Sequence, residues 1–180
     1  GFVPTDNPEG ADVPHVNTCA VRDNAEQRVL GRVGELQRYT RPGTVLGVVG
    51  CMAQRLGPAL LAQVPRVDLV AGPDAYRPLP DLIRQSLGGG RVLDTEFRSW
   101  EHYEDVPQVR EPGPMAFVTV QRGCDYKCTF CIVPYTRGPE RSRSLGEVVR
   151  EVASLAATGT TEVTLLGQTV NSYHDGTHDF

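Results

Sequence analysis

The stretch Ala116-Phe117-Val118-Thr119-Val120-Gln121-Arg122-Gly123-Cys124-Asp125-Tyr126-Lys127-Cys128-Thr129-Phe130-Cys131 decides how the chain is read. Residues 116–121 form a short apolar run of strand type. Gly123 lets the chain turn sharply at its end, and three cysteines follow within eight positions in the pattern Cys-x-x-x-Cys-x-x-Cys. Thiolates are the usual ligands of iron–sulfur clusters. Three on one short loop suit three irons of a cubane cluster and leave the fourth iron open to a substrate, much as catalytic zinc sites keep an open position. Phe130, between the last two cysteines, is placed to pack on a planar ligand. Two plainer readings stand beside this one: a structural zinc site, and inert buried cysteines. Zinc prefers paired Cys-x-x-Cys units or nearby histidines, whereas His174 and His178 lie far along the chain.

Downstream, residues 144–158 predict a helix. Ser144 and Glu147 have the spacing of a capping box, Val148, Val152 and Leu155 share its apolar face, and Gly159 ends it. Residues 161–166 predict the next strand. One β–α–β unit cannot bury itself alone, so the rest of a parallel sheet or barrel is expected beyond it. Gln168, Asn171 and Tyr173 follow the strand end, either touching a bound ligand or making a turn rich in side-chain hydrogen bonds. Arg137, Arg141 and Arg143, with Arg122 and Lys127 upstream, form a basic group opposed by Glu140 and Asp125. It reads equally as an anion site or a solvated loop.

Upstream, strands and helices alternate. Residues 13–17 read as a strand, although Pro14 is awkward there because it cannot donate to a ladder. Asp23 or Asn24 is placed to cap a helix to about Tyr39, with Val29, Val33 and Leu36 on one face, and Pro42-Gly43 marks a turn. Residues 44–50 are apolar on both faces, as a central parallel strand should be. A helix over 53–64, a strand over 67–71 and a helix over 76–87 follow, although the early Gly57-Pro58 weakens the first. Such repeats argue for a parallel α/β sheet. Cys19 and Cys51 each sit just past a strand's C-terminal end, the edge where open α/β sheets hold ligands, so both could reach one metal centre. Gly88-Gly89-Gly90 then breaks the pattern. The expected organisation is a first domain over 1–88, a polar linker over 89–113 containing Trp100, His102 and Tyr103, and a second domain over 114–180.

Composition narrows the classes. The 180 residues are 39% hydrophobic and 22% charged, ordinary for a globular protein. A net charge of −4 argues against a whole-surface nucleic-acid footprint but not a local one. No apolar run nears the roughly 20 residues of a membrane span, and no signal peptide opens the chain, so a cytoplasmic location is expected. Five cysteines, an odd and clustered set, suit a metal site better than a secreted disulfide framework. The chain opens on Gly1 and closes on a polar turn, so an internal part of a longer protein is expected.

Gln121 to Cys131 resembles the radical-SAM signature loop. Its continuation Val133-Pro134-Tyr135-Thr136-Arg137-Gly138 resembles the tRNA branch of the methylthiotransferase family, as do Asn17-Thr18-Cys19-Ala20-Val21-Arg22, Gly50-Cys51-Met52-Ala53-Gln54 and Gly167-Gln168-Thr169-Val170-Asn171-Ser172-Tyr173. The resemblance implies a Rossmann- or flavodoxin-like parallel sheet lacking its first strand, followed by the start of a partial (β/α) barrel. It implies two 4Fe-4S clusters in the intact protein. One is held by Cys124, Cys128 and Cys131. The auxiliary one is held by Cys19, Cys51 and a third cysteine upstream of Gly1. S-adenosylmethionine would bind the open iron of the first, with Phe130, Arg137, Gln168 and Asn171 around it. Its reductive cleavage would give a deoxyadenosyl radical that takes hydrogen from an unactivated base carbon, and methylated sulfur would arrive from the N-terminal cluster. The implied enzyme is a transferase adding a methylthio group to C2 of N6-isopentenyladenosine beside the anticodon. Its implied partners are the tRNA anticodon loop and a reducing electron-donor protein, its implied state a monomer with no membrane association. A target base must be unstacked to be reached, which single-stranded loops allow. The alternatives are methylthiolation of a ribosomal-protein aspartate or of threonylcarbamoyladenosine in tRNA, or a non-catalytic metal-binding RNA module. Tyr135 and Trp100 are stacking candidates, although a lone aromatic is more often packing.

Overall fold

β-branched and small apolar residues make four short parallel strands in the first part of the chain. The computed structural model describes residues 2–103, 106, 109–110 and 113–180. Six positions of the expected linker (104, 105, 107, 108, 111 and 112) and Gly1 lie outside the described residues. The chain forms two compact units. The first comprises Gly1–Phe97 with Phe130–Thr136, and the second Arg98–Thr129 with Arg137–Phe180.

In the first unit the elements run β1 (His15–Thr18), α1 (Asp23–Leu36), β2 (Gly47–Gly50), α2 (Cys51–Leu56), α3 (Pro58–Gln63), β3 (Leu69–Ala71), α4 (Leu79–Leu87) and β4 (Val92–Asp94). The strands pair in parallel in the order β1-β2-β3-β4, with Val48 level with Val16 and Val70, and Val70 with Leu93. One sheet face packs Val48 and Val70 against Val33 and Leu36 of α1, Met52 of α2 and Leu60 of α3. The other packs Leu69 and Val92 against Ile83 of α4. Both faces are therefore covered, and β2 and β3 are buried at every residue, as parallel strands between helices require. Removing a side chain such as Leu60 or Met52 from water contributes roughly 1.5–3 kcal/mol. Glu26 of α1 is buried. Arg55 of α2 grips it with two hydrogen bonds, the Nε one 2.8 Å long. That hydrogen bond raises the Arg55 pKa above its ordinary value, ahead of the opposing effect of burial.

Several sequence expectations shift here. Pro14 precedes β1, so the ladder loses no donor, and its carbonyl accepts the Gly47 N–H at 2.9 Å. Neither Asp23 nor Asn24 caps α1; the cap position is Arg22, which makes no side-chain capping bond, and Asp23 lies in the first turn. The helix expected over 53–64 is two helices split at Gly57, because Pro58 lacks the N–H that continuation needs. The strand Val92–Asp94, placed by the sequence reading inside an irregular linker, completes the first sheet. Its brevity and the preceding glycines hide it from pattern reading.

Just past the last cysteine comes α5 (Val133–Arg137), all but its last residue in the first unit; the second unit contains β5 (Met115–Thr119), β6 (Gln121–Arg122), β7 (Arg141–Ser142), α6 (Leu145–Ala157) and β8 (Glu162–Leu166). β5 and β8 pair in parallel, Met115 with Glu162 through Thr119 with Leu166, and β6 pairs antiparallel with β7. Val118 and Val120 pack on Val148, Val152 and Leu155 of α6. Ser144 caps α6 through Glu147 N–H at 3.3 Å, while the Glu147 carboxylate pairs with Arg150, so half of the expected capping box is made. The fold class is α/β, with a four-stranded parallel sheet and the opening β–α–β unit of a second domain. Among the described residues no helix is long and apolar enough to cross a membrane.

Candidate metal centre

The path of the loop that carries the three clustered cysteines is set at Gly123. Its φ is +73°, and a Cβ there would lie 2.0 Å from the Pro139 carbonyl oxygen. Only glycine turns that tightly beside another backbone. The next residue, Cys124, donates its N–H to Gly138 O at 3.1 Å, and Asp125 accepts the Glu140 N–H at 3.0 Å. Residues 123–128 have no regular secondary structure. Cys124 is buried, Cys128 exposed and Cys131 partly exposed, and all three thiols are free. Among the described residues no three His, Cys, Asp or Glu side chains are assembled as a metal site. The donor set nonetheless fits a thiolate-bound cluster, with three soft sulfurs on one irregular loop whose entry is fixed by backbone hydrogen bonds.

Beside Cys124 lies a network that the sequence did not reveal. Gln121 is completely buried. Its Nε2 donates to Ser172 Oγ at 3.1 Å, and its Oε1 accepts the Thr169 N–H at 3.4 Å. Ser172 Oγ also lies 2.7 Å from Thr169 O and 2.8 Å from a Glu140 carboxylate oxygen, so its single proton serves one acceptor at a time. Thr169 Oγ1 sits 3.7 Å from Cys124 Sγ. Gln121 falls within the quoted signature stretch, but strand residues do not declare from sequence which loop they reach. Gln168 and Asn171 are exposed on this same turn, whereas Tyr173 is buried and donates to Arg143 O at 2.7 Å, a packing role.

The basic group divides. Arg143 is buried, donating to Thr119 O at 2.9 Å and to Glu151 at 2.6 Å. Arg141 is buried on the carbonyls of Glu101 and Arg137. Arg122 stacks 4.6 Å from the Tyr103 ring centre. All three are buried, which is not the solvated loop. Arg137 is partly buried, and Phe130 is 91% exposed, packing on nothing as the structure stands. Tyr135 and Trp100 are exposed.

One carboxylate ties this region to α6. Asp175 accepts N–H bonds from Leu145, the first residue of α6, at 2.8 Å, and from His178 and Thr177 at 2.8 and 2.9 Å. These bonds hold its carboxyl well below the usual carboxylate range. A depressed pKa means that the carboxylate stabilises the fold above the unfolded value of about 3.9, and that this contribution fades as pH falls below it. Carboxyl-carbon NMR of the metal-free chain should place the Asp175 midpoint below that of a free aspartate. The stability difference between wild type and Asp175→Asn should shrink as pH falls from about 5 towards 2. A normal midpoint or a pH-independent difference would contradict the bonding described.

In the first unit, Thr18 pairs with Gly50 across β1 and β2, so Cys19 and Cys51 leave the sheet at the same edge on adjacent strands. The Thr18 hydroxyl donates to Val49 O at 2.7 Å and accepts the Met52 N–H at 3.1 Å, tying both segments together. Gly50, with φ +97°, turns β2 directly into α2; a Cβ there would lie 2.6 Å from Asn17 Oδ1 and Thr18 O. Cys51 thus opens α2 and is buried, while Cys19 is exposed.

Comparison with known proteins places almost the whole chain among named relatives. Residues 1–72 match the Uncharacterized protein family UPF0004 and residues 118–180 the Radical SAM superfamily. Over 98% of its length the chain is 46% identical to a tRNA-2-methylthio-N(6)-dimethylallyladenosine synthase of Alkalilimnicola ehrlichii, covering 41% of that protein. The chain belongs to the radical-SAM methylthiotransferase family. Methylthiotransferases bearing the same name in Chloroherpeton thalassium and Amoebophilus asiaticus are 46% and 48% identical over 97% and 96% of the chain, with 39% and 36% of their own lengths covered. The chain thus spans about two fifths of the methylthiotransferases it matches. Both cysteine groups fall inside the matched segments, Cys19 and Cys51 in the first and Cys124, Cys128 and Cys131 in the second.

Proposed function

We propose that the intact protein is a radical-SAM tRNA methylthiotransferase acting at C2 of N6-isopentenyladenosine beside the anticodon. The observation that carries this reading is the free three-thiol loop, lying within the radical-SAM segment of a chain that aligns almost end to end with tRNA-methylthiolating relatives. The names of those relatives favour this reading over a ribosomal-protein aspartate, threonylcarbamoyladenosine or a non-catalytic zinc module. Cys124, Cys128 and Cys131 would hold one 4Fe-4S cluster; Cys19 and Cys51, with a third ligand from elsewhere in the protein, would hold a second. When bound, the first supplies the single electron that cleaves S-adenosylmethionine.

The chain's own residues do the positioning. Gly123 and the Cys124–Gly138 hydrogen bond present the loop. Thr18 and Gly50 present Cys19 and Cys51 on one sheet edge. Gln168, Asn171, Phe130 and Arg137 are proposed to contact S-adenosylmethionine or the base, their exposure or partial exposure leaving them accessible to a ligand. The reading includes an N-terminal cluster domain, a connecting segment, a radical-SAM domain beginning near residue 114, the tRNA anticodon loop and a low-potential electron donor as partners, a monomeric state and a cytoplasmic location. Mass spectrometry of tRNA nucleosides from cells with and without the intact gene tests the substrate. Loss of the gene should abolish the methylthio nucleoside and leave its N6-isopentenyl precursor. Cys51→Ala should abolish methylthiolation and leave S-adenosylmethionine cleavage largely intact. Methylthio product from that variant would sink the division of labour between the two cysteine groups.

A further inference from the structure

The three loop thiols do not have equal surroundings. Cys128 is exposed and Cys131 partly so, while Cys124 is 8% exposed and faces the Thr169 hydroxyl at 3.7 Å. A metal-bound thiolate carries no proton, so a hydrogen bond between these atoms has one possible direction, from the threonine hydroxyl to sulfur. The backbone that carries this hydroxyl is held on both sides. Gln121 Oε1 holds the Thr169 N–H, Ser172 Oγ lies against the Thr169 carbonyl, and Gln121 is itself fully buried. Gly167 passes so close that a Cβ there would lie 2.8 Å from Gln121 Oε1. Two segments far apart in sequence are thereby locked together at one sulfur.

Resting on the function proposed above, we propose that Thr169 is a positioning residue that raises the reduction potential of the group held by Cys124, through a hydrogen bond to that sulfur. Uptake of one electron from a low-potential reductant forms and breaks no bond and adds negative charge shared with the sulfur ligands. A hydroxyl proton aimed at one of them stabilises the reduced state more than the oxidised one. Hydrogen bonds to sulfur are an established means of tuning such centres, and partial burial strengthens this one. Gln121 and Ser172 act one step further back, holding Thr169 in place.

The test is an EPR-monitored redox titration of the reconstituted intact protein with dithionite as reductant, following the signal that S-adenosylmethionine perturbs. Thr169→Val keeps the shape and removes the hydroxyl; Thr169→Ser keeps the hydroxyl. At fixed potential the ratio of reduced to oxidised protein should fall by on the order of threefold to tenfold in Thr169→Val, a negative shift of up to about 59 mV for one electron, and stay near wild type in Thr169→Ser. An unchanged potential in Thr169→Val, equal shifts in both variants, or failure of both to load overturns the inference. A Thr169→Val protein that takes up no iron while Thr169→Ser loads overturns it as well, because the side chain would then be needed to hold the group rather than to set its potential. Wild-type protein without iron and labile sulfide instead sinks the function proposed above, so the two failures are distinguishable.

Discussion

Cys128→Ala should leave the intact protein folded but unable to cleave S-adenosylmethionine, with 5′-deoxyadenosine falling to the level of an enzyme-free control. The expectation rests on a contrast in surroundings. Cys128 is exposed on a segment without regular secondary structure, so deleting its sulfur removes no core packing and should change stability by no more than about 0.5 kcal/mol. It does remove one of the three proposed donors, and two thiolates would leave the proposed site incomplete. Chromatographic assay of 5′-deoxyadenosine, alongside circular dichroism and iron content, separates loss of the site from loss of the fold. Cleavage above background in this variant would remove the three-thiol loop as the catalytic centre. The buried Cys124 is a poorer probe, because its truncation also opens a gap beside Thr169.

Gly123→Ala should be the most damaging single-methyl substitution in the second unit. The residue has φ +73°, and the added Cβ would lie 2.0 Å from Pro139 O and 2.6 Å from Gly138 O. Those are backbone atoms, and Gly138 O is also the acceptor for Cys124 N–H, so relief requires the two segments to part and that hydrogen bond to break. Left-handed strain alone costs about 1–2 kcal/mol; with the lost hydrogen bond and the displaced backbone a total of about 3–5 kcal/mol is expected. Denaturant unfolding followed by fluorescence of Trp100 would read it, together with iron uptake, which should fall in parallel. A variant as stable as wild type and fully loaded would show that the loop turns by another path.

Much of the fold is legible in the sequence. The run 44–50 is apolar at nearly every position, which only a strand covered on both faces tolerates, and β2 is buried at every residue. Ser144 announces α6 because a hydroxyl at that position satisfies an orphan N–H. The cysteine spacing points to a metal because thiolate chemistry and local spacing are both properties of a continuous segment. Short elements escaped: β4, β6 and β7 have three, two and two residues, too few to show a period, and they exist because a neighbouring strand offers hydrogen bonds.

The charged and polar residues mark the boundary most clearly. In sequence, Arg141 and Arg143 lie among other basic residues and suggest an anion site, yet both are buried on carbonyls and, for Arg143, on Glu151. Gln121 looks like an ordinary strand residue, yet it holds the turn that brings Thr169 to Cys124. By itself the sequence determined the α/β class, the covered parallel strands and the spacing of the thiols, because apolar periodicity and cysteine spacing act within a few residues of chain. Only the tertiary structure decided which polar groups meet, since contacts such as Thr18–Met52 and Cys124–Thr169 join residues more than thirty positions apart. Their geometry follows from how the strands and loops pack, which no local pattern records.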